Sequence, residues 1–164
     1  MAESQQDPGA DKAFIADLEQ ERDTFRTIHH TLESEQAALA RGDVDRLVQI
    51  SKSKMAQFVT LGQLAEKRNR YLAARGLASD VDGMERWLSQ QPGVSTARAL
   101  WNELLASAQE ARILNEANGA SIGVKMQHNQ QALSMLQQAA NQAALYDPSG
   151  RPAAHRTGRP LDKA

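Results

Sequence analysis

Two adjacent histidines, His29 and His30, are the first residues whose type suggests metal chemistry. His29 and Glu33 are four residues apart, so on a helix they would share a face and offer two ligands to a metal ion. Further ligands would have to come from elsewhere, and the sequence contains no Glu-x-x-His motif of the di-iron bundle type. We therefore expect two ordinary surface histidines and no bound metal.

Glu21 and Glu35 are the carboxylates that could be interpreted as an acid and a base. They are two heptads apart in a helical pattern, which places them roughly 20 Å from each other, too far to act on one group. Lys54 and Arg68 lie at matching positions of a later segment and are natural ion-pair partners for them. We expect paired or solvated carboxylates at the edge of a helix seam.

Other catalytic motifs are missing from the sequence. GxxxxGK[ST], GxGxxG and GxSxG do not occur, so phosphate-binding loops and nucleophile elbows have no support. Without cysteine, disulfides, thiolate zinc sites and cysteine nucleophiles are excluded. We expect no enzymatic activity and no cofactor.

The composition also limits the compartment and the partners. The net charge of −1 and the arginines of the last segment, which have no aromatic residues between them, do not favour nucleic acid. No apolar run is long enough to cross a bilayer, and the first residues lack the features of a signal peptide. These observations predict a cytoplasmic protein that neither binds nucleic acid nor inserts into a membrane.

Apolar residues recur at steps of three and four in two consecutive segments, which is the spacing of helices that pack along one side. Gly42 is expected to end the first helix just after Arg41, and Asp43 to cap the second. Because the link is only about two residues long, the two helices should form an antiparallel hairpin. The first seam comprises Phe14, Leu18, Glu21, Phe25, Ile28, Leu32, Glu35 and Leu39, and the second comprises Leu47, Ile50, Lys54, Phe58, Leu61, Ala65, Arg68 and Leu72.

The second helix is predicted to end at Arg75, followed by Gly76 and by Leu77 in a Schellman-type ending. A connector over 78–95 then contains one short helix, DGMERWLSQQ, which begins near Asp80 or Asp82 and ends before a Pro-Gly pair. Its apolar face should close one end of the hairpin. That face comprises Met84, Trp87 and Leu88.

A long third helix is predicted from about Ser95 to Tyr146, although Asn118-Gly119 is a strong turn signal. The apolar seam keeps its phase across this pair, so we predict that the helix continues and extends for ~75 Å at 1.5 Å per residue. Gly119 would cost about 1 kcal/mol relative to alanine. The seam comprises Trp101, Leu104, Ala108, Ala111, Asn115, Asn118, Ile122, Met126, Asn129, Leu133, Leu136 and Ala140.

Further apolar residues on the third helix exceed what one narrow seam can bury, and two alternatives remain open for them. They either pack on the first two helices in a three-helix bundle or form a groove for an amphipathic helix of a partner. Since the first two helices are shorter, the far end of the third is expected to lack an intramolecular cover. The residues are Leu105, Ile113, Leu114, Val124, Met135 and Leu145.

These segments predict an all-α protein, an elongated antiparallel bundle or coiled coil of three long helices with a short connector helix. Residues 1–10 are expected to be a flexible leader, 11–146 the helical domain, and 147–164 a flexible tail. Pro148 cannot continue the third helix, and the sequence from Asp147 to Gly150 matches a type I turn.

Several stretches make the chain similar to a known family. The most specific are ALWNELLASAQEARILNEANGASI, HNQQALSMLQ, YDPSGRP and GRPLDKA, while ARGDVDRL, KSKMAQF and RGLASDVDGMERWL match more loosely. On these stretches the chain resembles the FlgN family of flagellar export chaperones over residues 13–164.

The resemblance implies a cytoplasmic, ATP-independent chaperone of flagellar type III export. Such proteins bind the C-terminal helical segments of the hook-filament junction proteins FlgK and FlgL, prevent their premature assembly and deliver them to the export gate protein FlhA. Tyr146 occupies the place of the tyrosine linked to the gate contact. The later third helix would bind the client through Asn118, Ile122, Met126, Asn129, Leu133, Leu136 and Ala140.

A second hypothesis comes from a different class of protein. The same seams would suit a structural coiled-coil adaptor that forms homo-oligomers and buries its third helix against other copies of itself. A stable homo-oligomer would favour the adaptor, whereas a stoichiometric complex with a junction protein would favour the chaperone.

Overall fold

The computed structural model describes residues 8–91 and 94–145, except for the side chains of Val94 and of residues 143–145. This part of the chain forms four helices and no strand, which confirms the all-α prediction of three long helices and a short connector. The chain divides into two units, Met1–Ser121 and Ile122–Ala164. The helices are α1 (Pro8–Arg41), α2 (Val44–Ala74), α3 (Val81–Ser89) and α4 (Val94–Leu145).

The α1–α2 turn forms as its sequence predicts. Gly42 adopts a positive φ of 68°, a conformation that glycine reaches without steric cost. The Asp43 amide donates to the Ala38 carbonyl at 3.0 Å, and the Asp43 carboxylate accepts from the Arg46 amide at 3.0 Å. Helix α1 begins at Pro8, earlier than the predicted boundary at residue 11, because proline suits the first position of a helix.

The end of α2 and the start of α3 also follow local signals. The Leu77 amide donates to the Leu72 carbonyl at 3.0 Å, and Gly76 has a φ of 70°, which together form the predicted Schellman ending. Asp80 is the N-cap of α3, since its carboxylate accepts from the Gly83 amide at 2.9 Å.

Helix α3 closes one end of the bundle, which confirms the predicted role of its apolar face. Met84, Trp87 and Leu88 are at most 1% exposed. A ring cluster supports this end, because Phe14 stacks on Tyr71 with centroids 3.7 Å apart and the Trp87 indole donates to the Tyr71 hydroxyl at 3.1 Å. The same core cluster includes Leu18, Leu72, Ala97, Leu100, Trp101 and Leu104.

The two seam glutamates of α1 are buried and paired, not solvated. Glu21 is 3% exposed and accepts from the Arg68 guanidinium, whereas Glu35 is 4% exposed and accepts from Lys54 Nζ at 2.7 Å. Burial raises the pKa of Glu21 above its ordinary value, although the Arg68 charge acts in the opposite direction. Because early residues of α1 meet late residues of α2, the hairpin is antiparallel.

The seam of α2 differs from the prediction at Phe58, which is 41% exposed. Gln57 occupies the seam position instead of Phe58, and its Nε2 donates to Thr31 Oγ1 at 2.9 Å. Leu64 is likewise buried at the position that the prediction gave to Ala65, which is only half-buried. The packed stripe of α2 alternates steps of three and four, as a regular heptad does, through Lys54, Gln57, Leu61, Leu64 and Arg68. Its three polar residues, Lys54, Gln57 and Arg68, each donate to a side chain of α1.

The first part of α4 packs along α1 and runs parallel to it. Arg26 of α1 forms an ion pair with Glu103 of α4 at 3.1 Å, and further along both helices Ile28 and Leu32 pack against Ala111. The half-buried neighbours of this second cluster are Phe25, Leu61 and Leu114.

Changing Gly83 and Gly119 to alanine should have opposite effects on the free energy of unfolding. A Cβ on Gly83 would lie 1.8 Å from the Ala78 carbonyl oxygen, whereas a Cβ on Gly119 would have nothing within 4 Å. We expect Gly83→Ala to lower the free energy of unfolding by about 2 kcal/mol or more. Gly119→Ala should raise it by about 0.5–1 kcal/mol, because alanine favours the helix. Urea unfolding followed by circular dichroism measures both, and a Gly83→Ala protein as stable as the parent would contradict this packing.

Candidate functional site: the uncovered stripe of α4

The first half of the α4 seam lies inside the bundle. Trp101, Leu104 and Ala111 are each less than 5% exposed, and Ala108 and Asn115 are half-buried. The helix continues through Asn118 and Gly119 without a turn, which confirms the prediction drawn from the phase of the seam. Gly119 is not among the glycines with a positive φ, in agreement with its place inside a continuous helix.

Asn118 connects α4 to the hairpin through buried hydrogen bonds. Its side-chain amide donates to the Leu32 carbonyl at 2.8 Å and to Glu35 Oε2 at 2.9 Å, and the residue is 1% exposed. The other oxygen of Glu35 accepts from Lys54, so one carboxylate joins α1, α2 and α4. Asn118 had been predicted to contact a client protein, but it is occupied inside the bundle and is removed from that surface.

The hairpin ends shortly after this contact. Helix α1 stops at Arg41, within about two turns of Glu35, and α2 begins at Val44. Helix α4 extends to Leu145. The hairpin therefore supplies partners for the first part of the α4 seam.

The seam residues that follow Asn118 are largely open to solvent. Met126 is 66% exposed, Leu133 59% and Leu136 67%, while Asn129 and Ala140 are also exposed and Ile122 is half-buried. All described side chains over 123–142 are exposed. Since large aliphatic side chains at helical spacing rarely remain uncovered in a protein that acts alone, this surface is a candidate binding site. We call it the uncovered stripe: Ile122, Met126, Asn129, Leu133, Leu136 and Ala140.

The apolar residues outside the seam differ in burial. Leu114 is half-buried and packs on the second core cluster. Leu105, Ile113, Val124 and Met135 are 38%, 56%, 53% and 70% exposed, so the bundle leaves them at the surface. Leu145 lies outside the side chains that the structure describes.

The helix around the uncovered stripe carries almost no charge. Between Ala117 and Leu145 the sequence has no acidic residue, and its ionisable side chains are Lys125 and His128. Such a surface offers apolar contact and neutral hydrogen-bonding groups, which suits the docking of an amphipathic helix and provides no acid–base pair. The polar positions include Gln127, Gln130, Gln131, Gln137, Gln138 and Gln142.

The histidine pair lies on α1, within the first unit. His30 Nδ1 is 3.1 Å from a Glu33 carboxylate oxygen and His29 Nδ1 is 3.8 Å from the same oxygen. The three donor groups come within 4.8 Å of one another, a spacing compatible with a metal ion, but exposed groups of this kind are common without one. His30 and Glu33 are exposed, so the cluster lacks the closed surroundings of a structural metal site.

No helix in the described part of the chain is both long enough and apolar enough to span a membrane. A model of the family described as "FlgN protein" matches residues 1–154. The chain belongs to the FlgN family. FlgN proteins are flagellar export chaperones, and the family is not one of enzymes. Neither the search of curated proteins nor the search of solved structures gave a match.

This FlgN chain has one predicted contact residue beyond the described range and one further exposed apolar group. Tyr146, predicted to contact the export gate, lies outside the described residues. A second apolar group on α2 was missed by the sequence analysis, although its members recur at helical spacing. These residues, which we call the α2 patch, are Val44, Val48, Met55, Phe58 and Val59, all more than 40% exposed.

The border between the covered and the uncovered part of the seam can be tested with two asparagines. Asn118→Ala should lower the free energy of unfolding by about 2–3 kcal/mol, because buried polar groups of Leu32 and Glu35 lose their partner. Asn129→Ala should change it by less than about 0.5 kcal/mol, since Asn129 is exposed. Urea unfolding of both variants checks the difference, and equal effects would show that the border is misplaced.

Proposed function

We propose that the chain captures the C-terminal helical segments of the hook-filament junction proteins FlgK and FlgL in the cytoplasm, through the uncovered stripe of α4. Capture keeps those segments from assembling prematurely until the chaperone delivers them to the export gate protein FlhA. The observation that supports this proposal is the exposure of Met126, Leu133 and Leu136 on one face of α4. Membership of the FlgN family supports the general role in flagellar export.

The dimensions of the stripe suit a single client helix. From Ile122 to Ala140 the stripe extends for ~27 Å at 1.5 Å per residue, which corresponds to five helical turns. An amphipathic helix of about 18 residues would cover this length if it packed in the manner of a coiled coil. The client would thereby supply the second apolar face that this part of α4 lacks.

Burial of apolar surface is large enough to drive the capture. Covering ~600 Å² of apolar area would contribute about 15 kcal/mol at 25 cal/mol per Å². The loss of rotational and translational freedom and the ordering of side chains remove much of this gain. A micromolar to nanomolar dissociation constant remains, which suits a chaperone that must later release its client.

Two leucines of the stripe provide the main test. Replacing Leu133 and Leu136 with alanine should raise the dissociation constant for a synthetic FlgK C-terminal helical peptide by about 10- to 100-fold, because two apolar contacts are lost. Isothermal titration calorimetry measures the change. The matched control is Val124→Ala with Met135→Ala, which removes exposed apolar groups outside the stripe. Equal affinities for the leucine variant and the parent would refute the proposal.

The neutral character of the stripe predicts how salt affects this complex. Since its surroundings include only two ionisable side chains, binding should change less than about tenfold between 50 and 500 mM salt. The same calorimetric titration at both salt concentrations gives the answer. A loss of affinity by two orders of magnitude would indicate a charged binding surface elsewhere.

Delivery to the gate is assigned to Tyr146, a role that rests on the family resemblance. Tyr146→Ala should leave client affinity unchanged but weaken the docking of the chaperone–client complex to the cytosolic domain of FlhA. Tyr146→Phe is the matched control that retains the ring. A pull-down with purified FlhA domain distinguishes them, and undiminished docking of the alanine variant would remove this role from Tyr146.

The α2 patch is the observation that favours the alternative, a coiled-coil adaptor that associates with itself. Its members are three, four or seven residues apart along one side of α2, which would suit a helix from another copy of the chain. Light scattering after size exclusion decides between the two. A monomer that forms a stoichiometric complex with the junction-protein peptide supports the chaperone, whereas a stable homo-oligomer that excludes the peptide supports the adaptor.

A further inference from the structure

One polar residue interrupts the uncovered stripe. Asn129 is exposed and lies in sequence between Met126 and Leu133, so a helix docked on the stripe would cover it. Lys125 precedes Asn129 by four residues, which makes the two side chains neighbours on one face of the helix. Lys125 is exposed, and it is the only lysine or arginine between Ala117 and Leu145.

The bundle shows that an asparagine amide and a lysine can share one buried carboxylate. The buried amide of Asn118 donates to Glu35 Oε2 at 2.9 Å, and Lys54 Nζ donates to Glu35 Oε1 at 2.7 Å. Asn118 of α4 and Lys54 of α2 thus donate from two different helices to one carboxylate of α1. In this arrangement both oxygens of the carboxylate have a donor, which is the condition for burying it.

Asn129 repeats the seam position of Asn118 in the other unit. Eleven residues separate them, close to three helical turns, so the seam presents an asparagine again after three turns. A docked helix that placed an aliphatic side chain opposite Asn129 would bury its carboxamide without a partner. Such a mismatch weakens binding by about tenfold.

We propose that Asn129 and Lys125 together receive one carboxylate of the client helix, and that this contact fixes the register of the client on the stripe. This inference rests on the proposed function, because it concerns the client that the stripe binds. Asn129 donates its amide hydrogen to one carboxylate oxygen, and Lys125 donates to the other, as Asn118 and Lys54 do for Glu35. Asn129 is therefore a specificity-determining residue, and the surrounding leucines supply affinity.

Register selection follows from the energetics of the pair. The aliphatic stripe accepts a helix shifted by one heptad nearly as well as the correct one, because leucine contacts are not directional. The correct register is the one that puts a carboxylate opposite Asn129 and Lys125. A polar residue in a helix seam is the best-attested device for fixing register.

The test is a double-mutant cycle between the full-length chaperone and a FlgK C-terminal helical peptide. Each Asp and Glu of the peptide is changed to leucine in turn, and the dissociation constants are measured by calorimetry. We expect one position at which the change weakens binding to the parent chaperone about tenfold. With the Asn129→Leu or the Lys125→Met chaperone, the same peptide change should raise the dissociation constant by less than about threefold.

Asn141→Leu provides the matched control, because Asn141 is exposed and does not belong to the stripe. This variant should keep the full tenfold loss. Circular dichroism verifies that each variant retains its helices. The inference would be overturned if every peptide change reduced the affinity by the same factor for the parent and for the Asn129→Leu chaperone. It would also be overturned if a peptide without acidic residues bound as tightly as the natural one.

Failure of the inference can be told apart from failure of the proposed function. If Leu133→Ala with Leu136→Ala weakens binding but no acidic position couples to Asn129, then the stripe binds the client and the carboxylate contact is refuted. If the parent chaperone binds no junction-protein peptide, both the proposed function and the inference are refuted.

Discussion

The buried carboxylate of Glu35 is the constraint on which the covered bundle depends. A charge in this position is tolerated because Lys54 of α2 and Asn118 of α4 each donate to one of its oxygens. Removing either donor leaves a buried oxygen without its partner, so the three helices meet in one register. The bundle interior at this level is therefore specified by polar contacts, whereas the larger of the two apolar clusters lies at the α3 end.

The seam of α4 has a covered part and an exposed part. Up to Asn118 its residues pack on α1 and α2, and beyond Ile122 residues of the same spacing are exposed to solvent. A single pattern of threes and fours thus continues along α4 from residues covered by their own chain to residues that are exposed. The turn at Gly42 and Asp43 sets the length of the hairpin, and hydrogen bonds to the hairpin are seen on the α4 seam as far as Asn118.

Local signals made most of the fold predictable from the sequence. Gly42 and Asp43 at the first turn and Asp80 at the start of α3 act on neighbouring residues, so their effects can be inferred without knowing the tertiary structure. The burial of Asn118, and the fact that Gln57 and not Phe58 lies on the α2 seam, depend on helices distant in sequence. The exposure of the later part of α4 was predictable, because relative helix lengths can be estimated from the sequence. The residue at which exposure begins was not, because it depends on tertiary contacts.

Hydrogen–deuterium exchange of the chain with and without a saturating FlgK C-terminal peptide tests the central claim most directly. The account predicts that backbone amides over 122–142 exchange more slowly in the complex, since a docked helix stabilises this part of α4. Amides at the start of α2, from Val44 to Val59, should be unaffected. Slower exchange confined to α2, with none over 122–142, would contradict the assignment of the client site to α4.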